Sequence, residues 1–263
     1  GDITVGKNRA LGTVTLPLAA FTEPSKLRLT VRTTPKNDVG QKIENSWEFW
    51  VYPAETQMPE AKGVLITDTL DAEAIATLKK GGRVLITAAG KVRFGNDVKQ
   101  TYLPVFWNTS WFKMRPPHTT GAYIDTEHPL FSEFPTDDWS NLNWWELVNK
   151  AQVMNLRDFP AAYQPPVQPI DTWHISRKLG MVVEANVLGG KLLMTTIDID
   201  SDLENRPVAR QMRKAMLSYV AGDSFRPAIT LDPQVITNLF EKEAPAVNMF
   251  TNDSPDELKP KLK

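Results

Sequence analysis

A β–α–β unit at residues 63–87 constrains the fold more than any other stretch of the chain. Residues 63–67 (GVLIT) are apolar without alternation, the pattern of a strand covered on both faces. Residues 70–80 place Leu70, Ala74, Ile75 and Leu78 at helical spacing; Asp68 or Thr69 can cap that helix and Gly81-Gly82 ends it. Residues 83–87 (RVLIT) form a second strand of the same kind. Two buried strands joined by a helix predict a parallel sheet with a right-handed crossover. Further on, residues 181–184 and 191–197 read as strands joined by a turn at Gly189-Gly190. Residues 207–220 read as an amphipathic helix burying Val208, Met212, Ala215, Met216 and Tyr219. The expectation for residues 63–223 is a doubly wound α/β domain holding a long irregular insertion at about 92–170.

The flanks differ in character. Within residues 1–55, the runs 13–18 (TVTLPL), 27–33 (LRLTVRT) and 47–52 (WEFWVY) alternate as half-buried strands do. Pro17 marks the first as an edge. In the third run Trp47, Phe49 and Val51 share one face, and Glu48, Trp50 and Tyr52 the other. Three strands make too small a sheet to fold well alone. The segment therefore reads as the C-terminal part of an Ig-like β-sandwich whose first strands lie upstream, with the polar stretch 54–62 as boundary. Residues 224–263 are Pro-rich and read as a tail or linker with one short helix at 233–242.

Charge removes several partners. Lys and Arg total 30 against 31 Asp and Glu, a net charge of -1, so nothing attracts nucleic acid or an anionic membrane surface. No apolar run approaches the ~20 residues of a membrane span. No signal-peptide pattern opens the chain. The chain has no Cys, which removes disulfides, thiolate metal sites and a cysteine nucleophile. Its histidines are His118, His128 and His174, none at helical metal-pair spacing, and there is no GxSxG. No metal and no cofactor is expected.

The candidate ligand site lies in residues 131–145 (FSEFPTDDWSNLNWW), where Trp139, Trp144 and Trp145 stand beside Asp137, Asp138, Asn141 and Asn143. These tryptophans do not share one helix face. Apolar rings among short polar side chains suit the C–H faces and hydroxyls of a sugar; the same composition suits an interface. Asp137 and Asp138 read as an acid/base pair or as caps of a helix beginning near 139–140. Asp171, Trp173 and Arg177 form a second sugar-like set, which a salt bridge under a packed Trp would equally explain. Trp107 and Asn108, in an aromatic cluster with Phe106, Trp111 and Phe112, are a third set that also reads as core. Asp198, Asp200 and Asp202 open like a calcium loop but lack its Gly and closing Glu, and read equally as a polar strand end. Ligands of open α/β sheets sit beyond the carboxyl ends of strands. Thr67-Asp68, residues 87–91 and residues 198–202 are expected to converge there, with the insertion bringing the Trp cluster near. His118 and His128 are expected in loops.

Several of these stretches together carry a resemblance. NSWEFWVYP (45–53), LDAEAIATLKKGGRVLI (70–86), PVFWN (104–108), HPLFSEFPTDDWSNLNWW (128–145) and PIDTW with RKLG (169–180) occur in that order. The series resembles the C-terminal, non-catalytic region of Bacteroidetes proteins assigned to glycoside hydrolase family 2, or called its sugar-binding proteins, and covers the chain to about residue 227. The resemblance implies a sandwich end followed by a class I glutamine-amidotransferase-like, that is flavodoxin-like, domain. It implies carbohydrate and the upstream domains as partners, in a periplasmic or cell-surface system of polysaccharide degradation. Family glycosidases use two Glu in a TIM barrel, and this chain has no eightfold βα pattern. Active amidotransferase-like domains carry a Cys after a central strand; the matching position here is Ala88-Ala89-Gly90, a degenerate site. The expected function is a non-catalytic accessory region that binds a glycan or positions a catalytic domain. The alternatives are an assembly module with buried Trp interfaces, or a hydrolase using Asp137, Asp138 or Asp171 with His174.

Overall fold

The β–α–β unit is present in the computed structural model of the chain, which describes residues 6–10, 12–34, 42–98, 100–102, 118–172 and 175–244. An antiparallel ribbon comes first, β1 (Ser25–Thr33) and β2 (Ile43–Val51), paired from Ser25 opposite Val51 to Thr33 opposite Ile43. Then follow β3 (Val64–Thr67), α1 (Ala72–Lys79), β4 (Arg83–Thr87), β5 (Ala122–Ile124), α2 (Trp145–Asn149), β6 (Met154–Asn155) and β7 (Val167–Pro169). The chain continues through β8 (Leu179–Gly180), β9 (Val182–Val187), β10 (Gly190–Thr195), α3 (Pro207–Ala221), β11 (Thr230–Leu231) and α4 (Pro233–Glu241).

The main sheet is mixed, in the order β3-β4-β10-β9-β7-β5, with β11 also paired to β9. The parallel pairing expected from the sequence holds for β3, β4 and β10. In the other half β5, β7, β9 and β10 pair antiparallel, a tight turn returning β9 directly into β10, while β11 joins β9 in parallel. That turn is Leu188-Gly189, one residue earlier than expected, and both residues have positive φ (53° and 90°) as a primed hairpin turn requires.

Each face of the sheet carries its own core. On one side Leu85, Val182 and Leu193 pack with Met212 and Met216 of α3 and with Trp144. On the other, Val84, Ile86, Leu192 and Met194 pack with Leu78 of α1 and Ile236 and Leu239 of α4. Burying each such side chain stabilises the fold by roughly 1.5–3 kcal/mol. Arg83 ties the sheet to α3 by donating from Nη1 to the carbonyls of Val220 and Gly222 at the helix end.

Several boundaries differ from the sequence expectation. The cap of α1 is Asp71, whose side chain accepts from Ala74 N; Asp68 instead pairs with Lys91. The expected tail begins later than residue 224: Phe225, Leu231, Ile236 and Leu239 are buried, so β11 and α4 belong to the α/β core. The insertion is not wholly irregular, since β5 and β7 extend the sheet. Residues 13–18 form no strand; Pro17 lacks a ladder donor and a short 3-10 turn, Leu18–Ala20, follows it.

The ribbon has a charged face, where Arg28 pairs with Glu48 and Arg32 with Glu44 across the strands. Its other face carries Leu29, Val31, Ile43, Trp47 and Phe49, all exposed. It is fastened to the α/β unit by Lys26 to Asp137, by Tyr52 to Asn143, and by Arg210, which donates to the Ala54 carbonyl.

Candidate functional site

The Trp-rich loop divides its tryptophans between core and solvent. Asn141 accepts from Asn143 N (3.0 Å) and starts the 3-10 turn Leu142–Trp144, which runs into α2. The helix therefore starts later than 139–140, and Asn141 rather than an Asp caps the turn. That turn drives Trp144 inward to 0% exposure, edge-on to Phe131 and Phe134. Its indole N–H donates to Thr136 Oγ1 (2.9 Å), so the buried polar end is satisfied. Trp144 thus has no free face for a sugar, which corrects the sequence expectation. Trp145 is 54% exposed.

Trp139 points the other way, at 56% exposure. It bridges antiparallel to Tyr123 of β5; Ser140 N donates to Ala122 O, and Ile124 N to Asp138 O, both at 2.9 Å. Ala122 and Ile124 point into the core, so strand alternation turns Tyr123 outward, where it is 45% exposed. Residues directly opposite each other on paired strands project to the same side. Tyr123 and Trp139 therefore form a two-ring platform beside a groove of about 500 Å³. Asp138, Ser140, Thr120 and Ile170 line the same groove.

The polar neighbours read as sugar ligands are mostly committed elsewhere. Both Asp137 oxygens accept from Lys26 Nζ (2.9 and 2.8 Å), and Oδ2 also accepts from Asn141 Nδ2 (2.7 Å). Asn143 Oδ1 accepts from Tyr52 OH (2.8 Å), and its Nδ2 donates to Pro135 O (3.2 Å). These side chains fix the loop and clamp the ribbon to it. Asp138 is the acid of the pair left facing the groove.

Lys26 hydrogen bonding holds the Asp137 carboxyl below the usual value of about 3.9; partial burial opposes this and the Asn141 bond adds to it. Burial alone would lower the Lys26 ammonium, but its bonds to Asp137 and Glu48 outweigh that and raise it. A depressed carboxyl contributes stability above its unfolded pKa, lost as pH falls through the folded value. Asp137→Asn is therefore expected to cost about 0.5–1 kcal/mol at neutral pH. The difference should shrink as pH falls through the lowered pKa of Asp137, where its carboxyl takes up a proton. Urea midpoints measured across the acid range check this, and a pH-independent difference would contradict it.

The carboxyl ends of β3, β4 and β10 do converge as expected. Thr67, Asp68, Thr87, Ala89, Gly90, Lys91, Asp198, Asp200 and Ser201 surround a cavity of about 830 Å³, joined by Lys150 from the end of α2. Trp139 is absent from this rim; Val148 of α2 faces the aromatic groove instead, so the two cavities are separate. Lys91 pairs with Asp68, Arg213 with Asp200 and Arg206 with Asp198. Asp198, Asp200 and Asp202 are thus engaged one by one, Asp202 with Asn205, rather than aimed at a common centre. Ala88 is fully buried, and Ala89 and Gly90 follow it in the turn after β4.

Asp171 and Arg177 form an internal brace, the salt-bridge alternative of the sequence reading. Asp171 is 7% exposed and accepts from Thr172 N, Arg177 N and Arg177 Nε, each at 2.8 Å. Arg177 Nη1 also donates to Asp97 (2.6 Å). Trp107, Asn108, Trp173 and His174 lie outside the described residues. Sequence reasoning missed Tyr123; its signal was the alternation Ala122-Tyr123-Ile124, too short to stand out. His118, expected in a loop, is 5% exposed, and His128 lies 3.6 Å from Glu184.

These observations define a mixed α/β domain with a docked β-ribbon and an open aromatic groove. The chain belongs to the family described as Domain of unknown function (DUF8487), which matches residues 35–241 and so ends with α4. A second, Domain of unknown function (DUF8488), matches residues 1–53. Both matches include β2. No curated protein matches the chain.

Proposed function

We propose that the chain is a non-catalytic accessory region of a carbohydrate-active protein of the glycoside hydrolase family 2 type its sequence resembles. In this reading it binds a glycan in the groove beside Tyr123 and Trp139. The observation that carries it is the pair of exposed rings on one side of an antiparallel pair, over a groove that also presents Ser140, Thr120 and Asp138. Rings stack on the C–H faces of a sugar while hydroxyls and a carboxylate meet its O–H groups. An amidotransferase-like, flavodoxin-like origin is supported by the parallel β3-β4-β10 core with helices on both faces, and by Ala88-Ala89-Gly90 where a nucleophile would stand. A periplasmic or cell-surface setting belongs to the same reading.

Titration of intrinsic Trp fluorescence with cellohexaose, mannohexaose and xylohexaose tests it. A saturable change is expected with at least one probe, and Trp139→Ala should remove it. Silence with all three, in a protein folded by circular dichroism, would overturn the reading. The exposed apolar face of the ribbon favours the second reading, an assembly module whose partner covers Leu29, Val31, Ile43, Trp47 and Phe49. Silence in the titration together with concentration-dependent sedimentation would favour it.

A further inference from the structure

The charge of the aromatic groove is one-sided. Among the described residues lining it, Asp138 is the single carboxylate, and none is Lys or Arg. Asp138 is exposed, and its side chain meets no cation among the described residues. The acids beside the ribbon are different: Asp137 is paired with Lys26, and Glu48 with Lys26 and Arg28. Across the strand pair, Ile124 N donates to the Asp138 carbonyl, and the next residue, Asp125, brings a second carboxylate. Its Oδ1 accepts from Glu127 N (3.2 Å), and it too meets no cation among the described residues.

The rings hold a ligand close to this charge. The bonds from Ser140 N to Ala122 O and from Ile124 N to Asp138 O flank Tyr123 and Trp139, so these two form a non-hydrogen-bonded pair. Such pairs bring Cα atoms to about 4.5 Å and their side chains closest together. Asp138 directly precedes Trp139, and neighbouring Cα atoms lie about 3.8 Å apart. A sugar stacked on the platform therefore lies on the order of the ~10 Å screening length of about 0.1 M salt from the carboxylate. The field reaches it without a direct contact, and reaches further at low salt. A uronic-acid or sulfate group would meet like charge there, with no Lys or Arg in the described lining to offset it.

We propose that the groove selects uncharged glycans over acidic ones, and that Asp138 sets this selection. This rests on the glycan reading above and names its ligand class. The rings recognise the apolar faces that neutral sugars and uronic acids share; the carboxylate separates the two by charge.

Each neutral probe has an acidic counterpart with the same β-1,4-linked rings: hexaglucuronate for cellohexaose and xylohexaose, hexamannuronate for mannohexaose. Calorimetric titration of wild type and Asp138→Asn with the hexasaccharide that binds and with its counterpart, at low and high salt, tests the proposal. The readout is the ratio of the two affinities, so a loss that both ligands share in the variant does not enter it. In wild type the uronate should bind about fivefold or more weakly at low salt, and the gap should narrow at high salt. Asp138→Asn should close most of that gap. Equal affinities in wild type, or a uronate that binds better, would overturn the selection while sparing the glycan reading. So would a gap that neither salt nor Asp138→Asn alters, since shape would then exclude the uronate. Absence of binding to every probe would overturn both.

Discussion

Trp144→Ala should destabilise the protein by about 3–5 kcal/mol, whereas Trp139→Ala, five positions earlier in the same loop, should cost under about 1 kcal/mol. The two indoles differ in environment, not chemistry. Trp144 is fully buried against Phe131 and Phe134, and truncation opens a cavity between the loop and α3 while stripping Thr136 of its donor. Trp139 is more than half exposed, so little contact is lost. Urea unfolding of the two variants beside wild type measures both numbers. Equal costs would mean that the loop's inward and outward rings have been assigned wrongly. The contrast also protects the functional test: loss of glycan binding in Trp139→Ala can be ascribed to the ring only if the fold is unharmed.

Arg206→Ala should carry the second large effect, about 3 kcal/mol or more. This guanidinium is 4% exposed and sits at the start of α3. Nε donates to Glu146 Oε1 (2.5 Å), Nη1 to Asp198 Oδ2 (2.9 Å) and Ser201 O (2.7 Å), and Nη2 to Asp198 O (2.8 Å). Its removal strands two carboxylates and two carbonyls that water reaches poorly. Burial would raise the Asp198 carboxyl, but hydrogen bonds from Ser201 and the charge of Arg206 outweigh it and hold the group low. Its contribution is therefore present above the unfolded pKa and fades as pH falls through the folded value; without Arg206 part of it is lost. Arg206→Lys should rescue little, since one ammonium cannot replace a planar fork that meets four acceptors. Thermal melts of the Ala and Lys variants decide this. A Lys variant as stable as wild type would show that charge alone matters.

The parts of the fold legible in the sequence were those with strong local periodicity. The runs at 63–67 and 83–87, and the helices α1, α3 and α4, follow from apolar spacing and punctuation by Gly and Pro. So does the meeting of Asp68, Lys91 and Asp198 at one rim, because parallel strands share a carboxyl end. What was not legible is what long-range pairing decides. β5 and β7 are three residues each, and only their register makes them strands. Phe225 and Leu231 sit in a Pro-rich stretch that reads as linker until β11 finds β9. At the candidate site, composition singled out the Trp-rich loop but could not say which Trp faces outward. Nor could it show that Asp137, Asn141 and Asn143 are engaged by Lys26, Tyr52 and one another. Those contacts span about 90 residues or more between loop and ribbon, a separation that no local pattern records.

The central strands, apolar on both faces, raise a question of alignment. When one face of a strand is polar, a slip of one position exposes apolar side chains and is rejected. In β4, β9 and β10 a slip would merely exchange one buried apolar set for another. Two features remove that freedom. Glu184, the buried charged residue of β9, accepts from Tyr219 OH (2.6 Å), while its own N–H donates to Tyr163 OH (2.9 Å). Moved by one place, its carboxyl would enter the α1/α4 core with no donor to meet it. At the neighbouring strand, a Cβ in place of the Gly190 hydrogen would lie 2.6 Å from the Gly82 carbonyl oxygen, so only glycine can occupy that position. One costly side chain and one missing side chain thus index the hairpin against its neighbours, a task the greasy surfaces around them cannot perform.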